Sequence, residues 1–418
     1  MGRANSSLAT PNGWKEIIVN NRFCVKKSSL ILFFTIAALF HVSYVQLSSY
    51  YVPFQYTIII CSIAFLAVYV FLNIKSFAVT DNIGINILIL LFSLSMFWSS
   101  YSNRFRGTFD LRYVIINIAK YVLPFLVFQC IQNKEKTRLA MKLLYGWALF
   151  YCMFSDVHAV LAKANTIGYI GTYIVGNKFN LCYLHFLLLA LYFCVFHGKT
   201  SIKLTGFHVG LVLFAAIYSE CSTGIVGVIL ILVFIGLKNF FLKLMGKPWF
   251  GIVVIAISDS ILLLNSAILQ LKPVAYFIEN ILKEDITLTG RMRGYLKLTQ
   301  SLRESPMFGV GFENNHIVSE QYTGMLDLQN GVADLLLSFG IIGIILVALI
   351  MVVALKKGAN IYITGVLALA FTYMVLSSVE ITLNQKFFSI LALSAFVFPK
   401  YDDYPYIEKE DVNECEKR

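Results

Sequence analysis

The chain has 418 residues, of which 58% are hydrophobic and 14% charged, with a mean hydropathy of +0.74. That balance excludes a single water-soluble domain, because the apolar residues arrive in blocks near twenty long, the length that crosses a bilayer. The formal charge of +11 does not argue for a nucleic-acid partner, since the lysines and arginines sit in short loops between apolar blocks, where they act as topology signals.

The fold class expected is an all-α polytopic membrane protein. About twelve spans are read in chain order: 29–47, 53–73, 84–101, 113–131, 139–160, 180–197, 205–219, 223–242, 249–271, 331–354, 361–378 and a short one at 386–398. The corresponding divisions are a cytoplasmic segment 1–28, spans one to nine over 29–271, one large loop 272–330, spans ten to twelve over 331–398, and a cytoplasmic tail 399–418. The first 28 residues lack the apolar core of a cleavable signal, so the first span is expected to stay in the protein.

Counting Lys and Arg with the N-terminus inside gives 21 on inner segments and 12 on outer ones, with Lys120 inside a span. The bias puts both termini in the cytoplasm and the long loop outside, in a multi-pass protein of the cytoplasmic membrane. Cysteine adds nothing to this: Cys61, Cys152, Cys182 and Cys194 lie within apolar blocks, and no C-x-x-C pair marks a disulfide framework or a zinc site.

The outer loop departs from the charge bias with Arg291, Arg293, Lys297 and Arg303. Cations on the outer side point to an anion to be held. Thr289 as N-cap and Pro306 as stop bracket a helical spacing in which Met292, Tyr295, Leu296, Thr299 and Leu302 share one side, as in a helix lying on the membrane surface. Arg291, in its first turn, would meet a phosphate beside free backbone N–H groups. Snorkelling to lipid headgroups explains the same pattern. Pro306 to Gly311 reads as a tight turn or a close backbone approach.

Further outward cations are Arg104, Arg106 and Arg112, and Lys178 in Gly176-Asn177-Lys178-Phe179-Asn180. Glu220, Glu313, His316 and Asp334 are the candidates for a proton acceptor, and Tyr169, Tyr173, Tyr295 and Tyr322 for stacking on sugar rings. No D-x-D lies on the outward side and no H-E-x-x-H occurs, so neither metal nor cofactor is expected. Inside the spans, Lys120 and Asp259 cost about 2.5–3.5 kcal/mol each to insert and should face the bundle interior, as an ion pair or on an ion pathway. Gly206 and Gly210 form a G-x-x-x-G read as helix packing.

The order of these features resembles the O-antigen polymerase and ligase superfamily, which includes Wzy-type polymerases and lipopolysaccharide ligases. The resemblance rests on Thr289-Gly290-Arg291 with Tyr295 four residues on, Ser305-Pro306, Gly309-Val310-Gly311, the Gly176–Asn180 run, and Gln329-Asn330 followed by Ser338-Phe339-Gly340. It covers essentially the whole chain. It implies a GT-C-like glycosyltransferase acting on undecaprenyl-pyrophosphate-linked oligosaccharide, embedded in the bilayer, with a chain-length regulator as a partner. Arg291 matches the family's loop arginine that grips the pyrophosphate, with Arg293, Arg303, Lys178 and Arg104 as further phosphate partners. Where ligases carry His-Asn this chain has Gln329-Asn330, and where many members have Ser-Arg after the seventh span it has Cys221-Ser222. A ligase acting on a different acceptor and a lipid-linked oligosaccharide transporter are the alternatives.

Overall fold

The structure is a computed structural model. It describes residues 27–78, 82–107, 109–131, 134–162, 173–196, 200–245, 247, 249–263, 271–276, 279–280, 297, 300–312, 314–358 and 364–397. Among these, all regular structure is helical, apart from one isolated bridge between Tyr173 and Gly176.

The helices are α1 (Lys27–Ser43), α2 (Gln55–Leu72), α3 (Ile83–Ser102), α4 (Leu111–Cys130), α5 (Lys134–Leu161), α6 (Lys178–Val195), α7 (Ile202–Tyr218) and α8 (Ser222–Gly236). They continue as α9 (Lys238–Met245), α10 (Phe250–Leu263), α11 (Lys272–Tyr276), α12 (Asn314–Thr323), α13 (Gly331–Gly358), α14 (Thr364–Leu376) and α15 (Gln385–Ala392), the last extended by a π-helical turn over Leu393–Val397. A helix lies at each of the twelve stretches expected to span. Six are long and apolar enough to cross a membrane: Gln55–Leu72, Ile83–Ser102, Leu111–Cys130, Lys136–Leu161, Lys178–Val195 and Gly331–Lys356. The others are apolar but shorter; α7, at 17 residues, reaches about 25 Å at 1.5 Å per residue, against a hydrocarbon core of about 30 Å. The stretch expected at 223–242 breaks at Leu237, where α8 gives way to α9.

Helices α6 and α14 form the centre. Every residue of α14 except Val375 is buried, and α6 is buried from Leu181 to Tyr192. Close approach sets their packing: a Cβ at Gly365 would stand 2.2 Å from the Ala190 carbonyl oxygen, so only glycine lets the two backbones come this near. The outer helices turn apolar side chains outward, Ile60, Phe65, Val68 and Phe71 on α2 and Leu90, Leu94 and Trp98 on α3. In water such a surface would aggregate; in lipid it is the expected exterior. Among the described residues the G-x-x-x-G at Gly206 and Gly210 packs against no neighbour, because a Cβ at either would meet nothing within 4 Å. The spacing is right for a packing stripe, but among the described residues no helix lies on that face of α7.

The longest helix is interrupted. Gly340 has φ 67° and ψ −168°, a conformation essentially reserved for glycine, and it breaks the hydrogen-bond ladder of α13. Backbone groups freed inside an apolar bundle must find partners within the protein. They find them in the Pro306–Gly311 loop: Val310 N–H donates to Leu337 O at 2.9 Å, Gly311 N–H to Ser338 O at 2.8 Å, Ile341 N–H to Pro306 O at 3.0 Å and Ile342 N–H to Met307 O at 3.1 Å. Helix α3 closes the other side, with Ser99 Oγ donating to Ser338 O at 2.7 Å and Asn103 Nδ2 to Gly309 O at 3.1 Å. The close backbone approach expected of the Gly-Val-Gly run is therefore real, and it roots the 300–330 segment in the bundle.

Candidate functional site

One end of the bundle collects the polar chemistry. It is the end at which α1, α3, α5, α7 and α10 finish and α2, α4, α6, α8, α13 and α15 begin, and the 300–330 segment lies over it. The loops there are tied together: Ser48 N–H donates to Ile174 O, Gly331 N–H to Ser377 O, and Asn330 Nδ2 to both Asp259 Oδ1 (3.1 Å) and Ser378 O (3.3 Å).

The Gly176–Asn180 run starts α6 and organises one half of this end. Asn177 is the N-cap, its side-chain oxygen accepting from Asn180 N–H at 2.9 Å, which satisfies one of the free donors of the first turn. Lys178 Nζ donates to the Glu220 carbonyl at 3.2 Å. Glu220 has φ 48° and an exposed side chain; a non-glycine residue held there carries local backbone strain of the kind found at functional turns. Asn180 Nδ2 donates to Gln46 Oε1 at 3.1 Å, and its Oδ1 accepts from the ammonium of Lys386. Lys386 is buried and lies 5.4 Å from the centre of the Tyr183 ring.

Below this chain of bonds lies a cavity of about 280 Å³ between α1, α2, α4 and α15. Lys120 and Lys386 both line it, with Gln46, Asn117, Tyr56 and Tyr113 among the rest. Lys120 thus faces the interior as expected, but toward this cavity and not toward Asp259. The carboxylate of Asp259 is taken by Asn330, which also accepts Ala333 N–H at 2.7 Å as α13 begins. The expected Lys120–Asp259 pair is replaced by two separate arrangements on different helices.

The other half of the end holds the loop cations. Arg106 pairs with Glu304, and the Tyr322 hydroxyl donates to the same carboxylate. The Arg106 guanidinium, and secondarily the Tyr322 hydroxyl, holds the Glu304 carboxyl below its usual range, while the Glu304 carboxylate pushes the Tyr322 phenol up. Gln300, Arg303, Glu304 and Tyr322 border an open recess of about 520 Å³. Arg303 is exposed there, but Arg104 is folded away, its guanidinium over the rings of Tyr101 (4.3 Å) and Phe105 (4.1 Å) and bonded to Tyr101 O.

His316 Nδ1 lies 2.9 Å from the Leu326 carbonyl. A carbonyl only accepts, so Nδ1 carries the proton and Nε2 is left as the basic nitrogen. Asp334 opens α13 and accepts from Asn315 Nδ2 at 2.9 Å, which ties it to the first turn of α12, where His316 follows Asn315. Tyr173 is buried, so it offers no face to a sugar, and Tyr322 is committed to Glu304. Arg291, Arg293, Tyr295, Glu313 and Tyr169, and with them most of the surface helix expected at 290–304, lie outside the described residues.

The candidates therefore divide into two groups at one end of the bundle. Lys178 and Glu220 sit by the α6 start; Arg303, His316 and Asp334 sit in and under the 300–330 segment. Sequence reasoning passed over Lys386, counted only as a topology signal, and Asn180, noted only as part of a run. It also passed over Asp156 and His185, a buried pair on α5 and α6 with Nε2 3.1 Å from Oδ2. A signal was present for Lys386, whose neighbours Phe387 and Phe388 begin an apolar run, but its partner stands 206 residues earlier. Among the described residues no group of three or more His, Cys, Asp or Glu is placed to hold a metal. Compared with models of known protein families and with curated proteins, the chain matches none.

Proposed function

We propose that the chain is a polysaccharide polymerase of the GT-C type, with twelve spans, acting at the outer face of the cytoplasmic membrane. It transfers a growing glycan from undecaprenyl pyrophosphate to a hydroxyl of an incoming lipid-linked repeat unit. The bond from the anomeric carbon to the phosphate oxygen breaks, the acceptor oxygen bonds to that carbon, and the hydroxyl proton passes to a base. Charge builds on the leaving pyrophosphate, and fixed cations stabilise it without a metal. Arg291, Arg293 and Arg303 serve that role with Lys178 as a further phosphate partner, and His316 Nε2, Asp334 or Glu220 takes the proton.

One observation carries this reading: the buried charge of the bundle, among the described residues, lies toward a single end. The buried charged side chains among the described residues, Asp156, Glu380 and Lys386, belong to the half nearest the 300–330 segment, as does Asp259, while Lys120, at the middle of α4, lines the cavity that opens toward that end. A transporter needs polar groups along a path from one side to the other; a site at the lipid–water boundary needs them at one end. The test is Arg291→Ala in the native host. Loss of long polymer on a polysaccharide gel, with undiminished protein in the membrane fraction, is expected. Wild-type chain length would refute the role, as would purified protein that moves lipid-linked sugar across vesicles without lengthening it.

A further inference from the structure

The cavity between α1, α2, α4 and α15 presents two lysine amines, Lys120 and Lys386, and no carboxylate among its described lining residues. Lys386 has a carboxamide oxygen from Asn180 and the face of Tyr183 as partners. Neither carries a full negative charge. No hydrogen bond or ion pair joins Lys120 to a described residue. Two amines facing one cavity with no carboxylate among its described lining lose hydration of their charged forms, and an anion received between them would hold both as ammonium groups.

The remaining lining identifies the rest of the ligand. Asn117 and Gln46 supply carboxamides, each both donor and acceptor, and Tyr56 and Tyr113 supply phenols and ring faces. Neutral groups of this kind match sugar hydroxyls and the apolar face of a sugar ring. A volume of 280 Å³ falls just below the range of about 300–1,000 Å³ for small-molecule sites, so it suits one sugar ring rather than an oligosaccharide. Access is from the polar end, where Gln46 is exposed and Tyr56 is 63% exposed.

We propose that this cavity binds a single acidic sugar of the hexuronate class within the lipid-linked repeat unit, Lys120 and Lys386 clasping its carboxylate. The inference rests on the transfer reading above for where such a sugar would come from, and it makes the substrate polymer an acidic one. The loop arginines keep the pyrophosphate; the lysine pair selects the sugar.

The experiment uses the full chain purified in detergent and saturation-transfer NMR with D-glucuronate, D-glucose and inorganic phosphate as probes. Glucuronate should bind at least about tenfold tighter than glucose or phosphate, the factor that one charge-assisted hydrogen bond supplies. Lys120→Met and Lys386→Met should each weaken glucuronate by a similar factor. Lys120→Met, which breaks no hydrogen bond or ion pair to a described residue, should melt no lower than the wild type in the absence of sugar; a lower midpoint would mark a lysine kept for structure and overturn the proposal. Glucose or phosphate binding as tightly as glucuronate, no glucuronate signal, or unchanged binding in both variants would overturn the proposal. Failure of the Arg291→Ala polymer test with glucuronate binding intact would instead remove the transfer reading and leave the acidic-sugar site standing.

Discussion

Replacing Gly340 by alanine should detach the Pro306–Gly311 loop from α13. At φ 67° and ψ −168° an L-residue pays about 1–3 kcal/mol of backbone strain. The new Cβ would also stand 2.4 Å from both the carbonyl carbon and oxygen of Met307 and 2.6 Å from Gly309 N. These are backbone atoms and cannot swing aside. Relief requires the loop to retreat, which loosens the four backbone hydrogen bonds it makes to residues 337–342, each worth about 0.5–1.5 kcal/mol net. Loss of half of them adds about 1–3 kcal/mol, so the total is about 2–6 kcal/mol. Two further glycines supply the scale. Gly324 also has positive φ, +76°, but a Cβ there meets nothing within 4 Å, so Gly324→Ala should cost only the left-handed strain of about 1–2 kcal/mol. Gly210 is helical with open space around it, so Gly210→Ala should gain about 0.5–1 kcal/mol. Thermal unfolding of the three variants in one detergent, followed by tryptophan fluorescence, gives the order directly. A Gly340→Ala midpoint no lower than that of Gly324→Ala would refute the account of how the loop is rooted.

The Arg106–Glu304–Tyr322 cluster should be pH-sensitive on the acid side. Because the folded state lowers the Glu304 pKa, its contribution is fully present above the ordinary glutamate value of 4.5 and is lost as pH falls through the lowered folded value. Acid should therefore increase protease cleavage within 300–330 in the wild type, and Arg106→Gln should show that cleavage already at neutral pH; equal cleavage of both proteins at every pH would contradict it. In the bundle, Asp156→Leu leaves His185 without its carboxylate in a fully buried position and should lower the unfolding midpoint markedly, at a cost of about 3–5 kcal/mol. The double variant Asp156→Leu, His185→Leu should recover most of the loss, and a single and double variant that melt together would sink the pairing argument.

The amino-acid sequence by itself determined the class of protein, the places of its helices and the segment that departs from them, because apolar run length and the positions of Lys and Arg are local properties of a chain. It also marked Pro306 to Gly311 as a tight turn or close backbone approach, because proline and glycine spacing is local, whereas the partners that the turn approaches, on α13 and α3, are distant in sequence. What it could not determine was partnership. Lys120 and Asp259 were recognisable as costly interior charges, yet their environments come from Lys386 and Asn330, set by which helix ends meet. Gly206 and Gly210 had the spacing of a packing stripe, but only the arrangement of α7 shows that no described residue lies against them. The break in α13 was hidden for the same reason: Gly340 interrupts a run apolar enough to be read as one continuous span, and the interruption is tolerated only because a loop about thirty residues earlier supplies the missing hydrogen bonds. Burial and charge compensation are properties of contacts distant in sequence, so they were decided by the tertiary structure alone.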